Sequence, residues 1–86
     1  MIELYLSKLL LLYPHDSFYY NDLRRFYYSK SNPLPKTYDW HTIERAIRKF
    51  AETGLLYREK RGRKVIFFIN KEKIRDLYYK LKSTLE

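Results

Sequence analysis

From Leu55 to Ile69 the chain reads LLY, then REKRGRK, then VIFFI: two apolar, β-favouring runs separated by seven residues with a single glycine. That block pattern predicts a β-hairpin from Leu55 to Ile69. Gly62 supplies the left-handed turn position, which residues with a Cβ enter only at a cost. The tip is crowded with charge, setting Arg58, Lys60, Arg61, Arg63 and Lys64 against Glu59. One or two charges would keep a turn solvated. Five cations within seven residues repel one another, and a polyanionic partner relieves that repulsion.

The remaining segments divide around the hairpin by period and punctuation. Ile2 to Tyr13 predicts a first helix ended by Pro14, with apolar residues on more than one face. It is therefore expected either at the centre of the fold or against a second subunit. SFYY (Ser17 to Tyr20) predicts a short strand, and Asn21 a cap for a helix from Asp22 to Lys30 with Leu23, Phe26 and Tyr27 on one face. The two prolines of SNPLPK break that helix. Thr37 or Asp39 caps the next, which runs from Asp39 to Thr53 and stops at Gly54. On its wheel Trp40, Ile43, Ala46, Ile47 and Phe50 lie together, with Trp40 expected in the core. His41, Arg45, Arg48 and Glu52 point the other way, and Thr42 and Lys49 sit at the margins. Asn70 caps a last amphipathic helix with Ile74, Leu77, Tyr78, Leu81 and Leu85 on its stripe.

The order is thus helix, strand, helix, helix, hairpin, helix. It forms an α+β domain over 1–86, with a core at 17–69 and an added C-terminal helix at 70–86. Eighty-six residues support one modest hydrophobic core. Eighteen Lys and Arg against ten Asp and Glu give a formal charge of +8, the balance of a nucleic-acid binder. There is no cysteine, so disulfides, thiolate metal sites and a cysteine nucleophile are excluded. His15 and His41 lack metal-ligand spacing. His15, Asp16 and Ser17 hold the residue types of a hydrolase triad but neither its geometry nor an oxyanion loop. No phosphate-cradling glycine motif is present. The chain is accordingly expected to be no enzyme, to need no cofactor or metal, and to show no evident small-molecule ligand. IELYLSKLLLLY carries Glu3 and Lys8 and is too short to cross a bilayer, so an intracellular, cytoplasmic protein without a membrane partner is expected.

The element order and the stretch TIERAIRKFAETGLLYREKRGRKVIFFI from Thr42 to Ile69 resemble the winged helix-turn-helix family. The likeness lies in a helix patterned TIxRxIRxF, then GLL, then a charged hairpin, the wing. It covers about residues 17 to 69 and is strongest from Thr42 to Leu56. Size, tyrosine richness and a helix at each end resemble the small dimeric winged-helix proteins of archaea and their viruses and plasmids. The absence of glutamine and the wealth of Tyr, Ile, Lys and Arg suit a thermophilic source; for a viral protein, the compartment is the host cytoplasm.

The resemblance implies a three-helix core with a β-hairpin wing and a double-stranded DNA partner. The 39–53 helix enters the major groove and the 58–64 wing reaches the flanking backbone or minor groove. His41, Thr42, Arg45, Arg48 and Lys49 then approach bases and phosphates, with Arg58, Lys60, Arg61, Arg63 and Lys64 on the wing. SNPLPK is longer than the family's usual turn, which adds Lys36 and Tyr38 as loop contacts. Physical dimensions agree: a helix about 10–12 Å across fits a groove about 12 Å wide, and an exposed arginine can pair with guanine O6 and N7. The terminal helices display more apolar surface than a small core needs. A homodimer through Leu4, Leu11, Ile74, Leu77, Tyr78, Leu81 and Leu85 is therefore expected, folding of the last helix onto the first being the alternative. A regulator of transcription is the leading expectation. The alternatives are a protein-interaction adaptor, since one fold serves many functions, and single-strand binding through tyrosines such as Tyr19, Tyr20, Tyr27, Tyr28, Tyr78 and Tyr79.

Overall fold

The computed structural model describes residues 1–85, the side chain of Leu85 excepted. They form α1 (Ile2–Leu12), β1 (Ser17–Tyr19), α2 (Tyr20–Tyr27), α3 (Trp40–Glu52), β2 (Leu56–Arg61), β3 (Lys64–Ile69) and α4 (Lys71–Leu85). The architecture is α+β, with four helices and one antiparallel sheet of order β1-β3-β2.

Local chemistry sets the boundaries. Tyr13 is not helical as expected. It precedes Pro14, whose ring disfavours the α region at the residue before it, and it sits at φ −63, ψ 130. The start of α2 also differs from expectation. The helix begins at Tyr20, straight from the strand, because the Asp22 carboxylate reaches back to accept from the Tyr19 N–H at 3.1 Å. Asn21 therefore lies inside the first turn rather than at the cap. The helix ends at Tyr27, three residues short of Lys30. Buried Asn32 closes this end by donating to the Tyr27 carbonyl at 2.9 Å and accepting from the Leu34 N–H at 3.0 Å.

The proline-containing loop is tied down twice more. Tyr5 Oη donates to the Pro35 carbonyl at 2.6 Å, and fully buried Tyr27 donates its hydroxyl to the Tyr38 carbonyl. Burial, then the neighbouring Tyr5 hydroxyl, push the Tyr27 pKa up to about 12.

Asp39 caps α3, its Oδ1 accepting from the Thr42 N–H at 2.8 Å and the Thr42 hydroxyl at 2.9 Å. Those two donors, in that order, hold the carboxyl below its usual range. At the other end Gly54 takes φ +83, Leu55 N–H donates to the Phe50 carbonyl and Gly54 N–H to that of Ala51. Both bonds of a Schellman stop are present. The helix buries Trp40, Ile43, Ala46, Ile47 and Phe50, the stripe its period predicts.

In the hairpin Leu56 pairs with Ile69, Arg58 with Phe67, Lys60 with Val65 and Arg61 with Lys64. Gly62 and Arg63 alone make the loop, with positive φ only at Gly62, as in a type II′ turn. Strand β1 lies on the other edge of β3, setting Phe18 beside Phe67 with rings stacked at 5.3 Å. Helix α1 packs against α3 and α4, and its Leu6, Leu9 and Leu10 are fully buried in a core shared with the stripe of α3 and the helix-facing side of the sheet.

Helix α4 folds back onto α1. Ile74 is fully buried in the common core, Leu77 packs against it, and Lys71 Nζ donates to the Tyr13 carbonyl at 2.7 Å. This overturns the expectation that Ile74 faces a second subunit, because the first turns of α4 spend their apolar stripe inside the chain. The accessible surface, 5956 Å², is close to the ~5500 Å² expected of a folded monomer of this mass.

Candidate nucleic-acid interface

The face of α3 opposite the core carries His41, Arg45, Arg48 and Glu52, all exposed, with exposed Lys49 beside them. Among the described residues neither Arg45 nor Arg48 has a carboxylate within ion-pair distance. Among the described residues only two ion pairs form, His41 to Glu44 at 3.8 Å and Arg61 to Glu59 at 3.5 Å. The first is long and solvent-washed, so it holds His41 weakly. Thr42 is half-buried and its hydroxyl serves the Asp39 cap, leaving its methyl as the free part. Along one margin Thr42, Arg45 and Lys49 border a groove of about 180 Å³ closed by Ile2 and Glu3 of α1.

Strand pairing splits the hairpin cations into two sets. Side chains alternate across a strand, so Leu56, Arg58 and Lys60 lie on the helix-facing side with Phe67 and Ile69. Tyr57, Glu59, Arg61 and Lys64 lie on the outer side with Ile66 and Phe68. The sequence presents REKRGRK as one tip; the ladder reaches Arg61 and Lys64, so only Gly62 and Arg63 belong to the turn. Lys64 rests over the Tyr19 ring at 5.6 Å and Arg61 over Phe68 at 5.8 Å.

Tyr20 joins hairpin and helix. Its ring lies 5.0 Å from Phe67. Burial, the largest influence, raises its hydroxyl pKa, while Arg48 and then Arg58 pull it down and Glu44 adds to the rise. Two arginines, one from α3 and one from β2, are thus within electrostatic reach of one hydroxyl. On the far side of Tyr20, Arg63 and Lys64 meet Arg25 of α2 around a hollow of about 420 Å³.

Arg25 is not among the expected contacts, and Tyr20 is expected only as a stacking tyrosine in the single-strand reading. The signal for Arg25 was its place opposite the Leu23, Phe26 and Tyr27 face. Its approach to the hairpin depends on β1–β3 pairing, which local pattern does not reveal.

Other expected positions lie apart. Lys36 is exposed in the proline loop, while Tyr38 is half-buried with its ring 5.2 Å from Tyr5, turned toward α1. Of the expected interface residues, Leu4, Leu11, Tyr78 and Leu81 are half-buried along α1 and α4, and Lys8 sits 5.1 Å over the Tyr78 ring. Leu85 lies outside the described side chains. Among the described residues no three His, Asp or Glu converge as metal ligands, and no helix is long and apolar enough to cross a membrane. Comparison with protein-family models, with curated proteins and with solved structures finds no match.

Proposed function

We propose that this chain is an intracellular, sequence-specific double-stranded DNA-binding protein of winged helix-turn-helix type that regulates transcription by occupying or bending a promoter. The observation that carries the proposal is the set of exposed cations on α3 and the hairpin, Arg45, Arg48, Lys49, Arg58, Lys60 and Arg63, none with a carboxylate within ion-pair distance among the described residues. In this scheme α3 lies in the major groove. Arg45, mid-helix and exposed, pairs with guanine O6 and N7, and the Thr42 methyl meets a thymine methyl. Arg48, Lys49, Arg58, Lys60 and Arg63 neutralise phosphates and release counterions, the source of sequence-independent affinity. Base contacts then add discrimination of about 1–3 kcal/mol each.

A two-fold dimer through the remaining strip of Leu4, Leu11, Tyr78 and Leu81 presents two α3 helices to half-sites roughly 34 Å apart. With those five phosphate contacts per protomer, about ten per dimer, log K falls against log salt with a slope near −9. The test is selection of bound sequences from random duplex DNA, followed by competition. An enriched motif that outcompetes random duplex supports the proposal. Equal competition by all sequences removes the regulator and leaves an architectural role.

A further inference from the structure

The outer face of the sheet carries a second, different surface. Tyr57 and Phe68 are direct cross-strand partners there, with ring centroids 6.0 Å apart, and Tyr57 is 66% exposed. Ile66 and Tyr19 form the neighbouring row. The Arg61 guanidinium, paired with Glu59, lies 5.8 Å from the centre of the Phe68 ring, and Lys64 lies 5.6 Å from that of Tyr19. Below Tyr57 and Phe68 the face runs into a hollow of about 620 Å³ bordered by Lys71, Lys73 and Asp16. Four cations thus stand against two carboxylates, at both ends of an aromatic strip.

A cross-strand aromatic pair stabilises a hairpin by itself. It does not require a tyrosine to leave two thirds of its surface in water between cations. That combination is the chemistry of single-strand recognition, in which phosphates follow positive charge and unpaired bases stack on rings or guanidinium planes. A second copy of this chain would bring like charges together on the same face. We infer that the outer sheet face binds single-stranded DNA, with bases stacked on Tyr57 and the Arg61 guanidinium, Phe68 supporting both from beneath, and the backbone running between Lys64 and Lys73. The choice of DNA over RNA rests on the duplex proposal above, since the Gly62–Arg63 turn joins the two surfaces; the stacking surface itself does not.

The test uses fluorescence anisotropy with three labelled probes: a blunt duplex, the same duplex with a single-stranded thymidine tail, and a thymidine strand of about twelve nucleotides, within the range single-strand binders cover. The unmodified protein is expected to bind the tailed duplex at least about fivefold more tightly than the blunt one, given what one stacked base contributes. Tyr57→Ala is expected to lower single-strand affinity about tenfold and leave the blunt duplex unchanged, whereas Tyr57→Phe keeps the ring and the binding. Equal single-strand affinity in Tyr57→Ala, or a tail that adds nothing, overturns the inference while leaving the duplex proposal intact. Single-strand binding without blunt-duplex binding supports the stacking face and sinks the duplex proposal. A uridine strand of RNA bound more tightly than thymidine overturns the assignment to DNA.

Discussion

The α1–α4 end and the α3–hairpin end of this molecule differ in how far their polar groups are used within the chain. Around α1 and α4 those nearest the core are satisfied within the chain, while exposed Lys73, Arg75 and Lys80 have no carboxylate within ion-pair distance among the described residues. Fully buried Ser7 donates to the Leu4 carbonyl at 2.9 Å, Lys71 reaches Tyr13, Tyr5 reaches Pro35 and Lys8 covers a tyrosine ring. At the other end Arg45, Arg48, Lys49, Arg58, Lys60 and Arg63 have no carboxylate partner among the described residues. The difference separates what the fold consumes from what it leaves over. Apolar surplus in the terminal helices is largely used up by their mutual packing, whereas the charge surplus persists as repulsion that only an external anion relieves.

Substitutions at the two ends should break this comparison in contrasting ways. The largest expected effect is Ile74→Ala, which empties a fully buried site between α4 and the core and costs about 2–5 kcal/mol in urea unfolding. Duplex affinity of the folded protein should not change.

Next is the buried Tyr27 hydroxyl. Below pH 10 folded and unfolded chains both hold its proton and its contribution is complete; as pH rises from 10 toward 12 the unfolded chain loses the proton first, so stability falls by about 2–3 kcal/mol. Tyr27→Phe should flatten most of that decline. A shallower one in the same direction should remain from Tyr13 and Tyr20, whose hydroxyls are also raised mainly by burial. Thermal melts across this range measure both.

Arg45→Ala with Arg48→Ala inverts the Ile74 result. Stability should stay within about 0.5 kcal/mol, because the side chains are exposed and unpaired. Duplex affinity at low salt should fall by about ten- to a hundredfold, in line with lost phosphate and base contacts. The smallest effect is expected at Gly62→Ala, where open space surrounds the new methyl and only the left-handed φ of +62 resists it, at about 1 kcal/mol.

Much of the scaffold was legible in local pattern because its signals are local. The period of α3, the Asp39 cap, the Gly54 stop and the Gly62 turn each depend on residues within a few positions of one another. The early start of α2 was missed because it depends on a carboxylate reaching back from Asp22, and its early end because Asn32 closes it from the loop. Ile74 was misplaced for a different reason. An amphipathic stripe shows that a helix buries one face, not whether the cover is its own chain or another. Within the candidate site, exposure of Arg45 and Arg48 followed from helical period alone. The division of the hairpin cations between two faces required the ladder register, and the approach of Arg25 to Arg63 required the sheet order.

The salt dependence of duplex binding, compared among the unmodified protein, Arg48→Ala, Arg58→Ala and the double variant, tests most directly whether α3 and the hairpin grip one duplex together. In the two-fold dimer each single substitution removes two contacts and should make the slope of log K against log salt shallower by about 2, and the pair by about 4. Slopes that match the unmodified protein in all three variants, or duplex binding indifferent to salt, would contradict a shared surface.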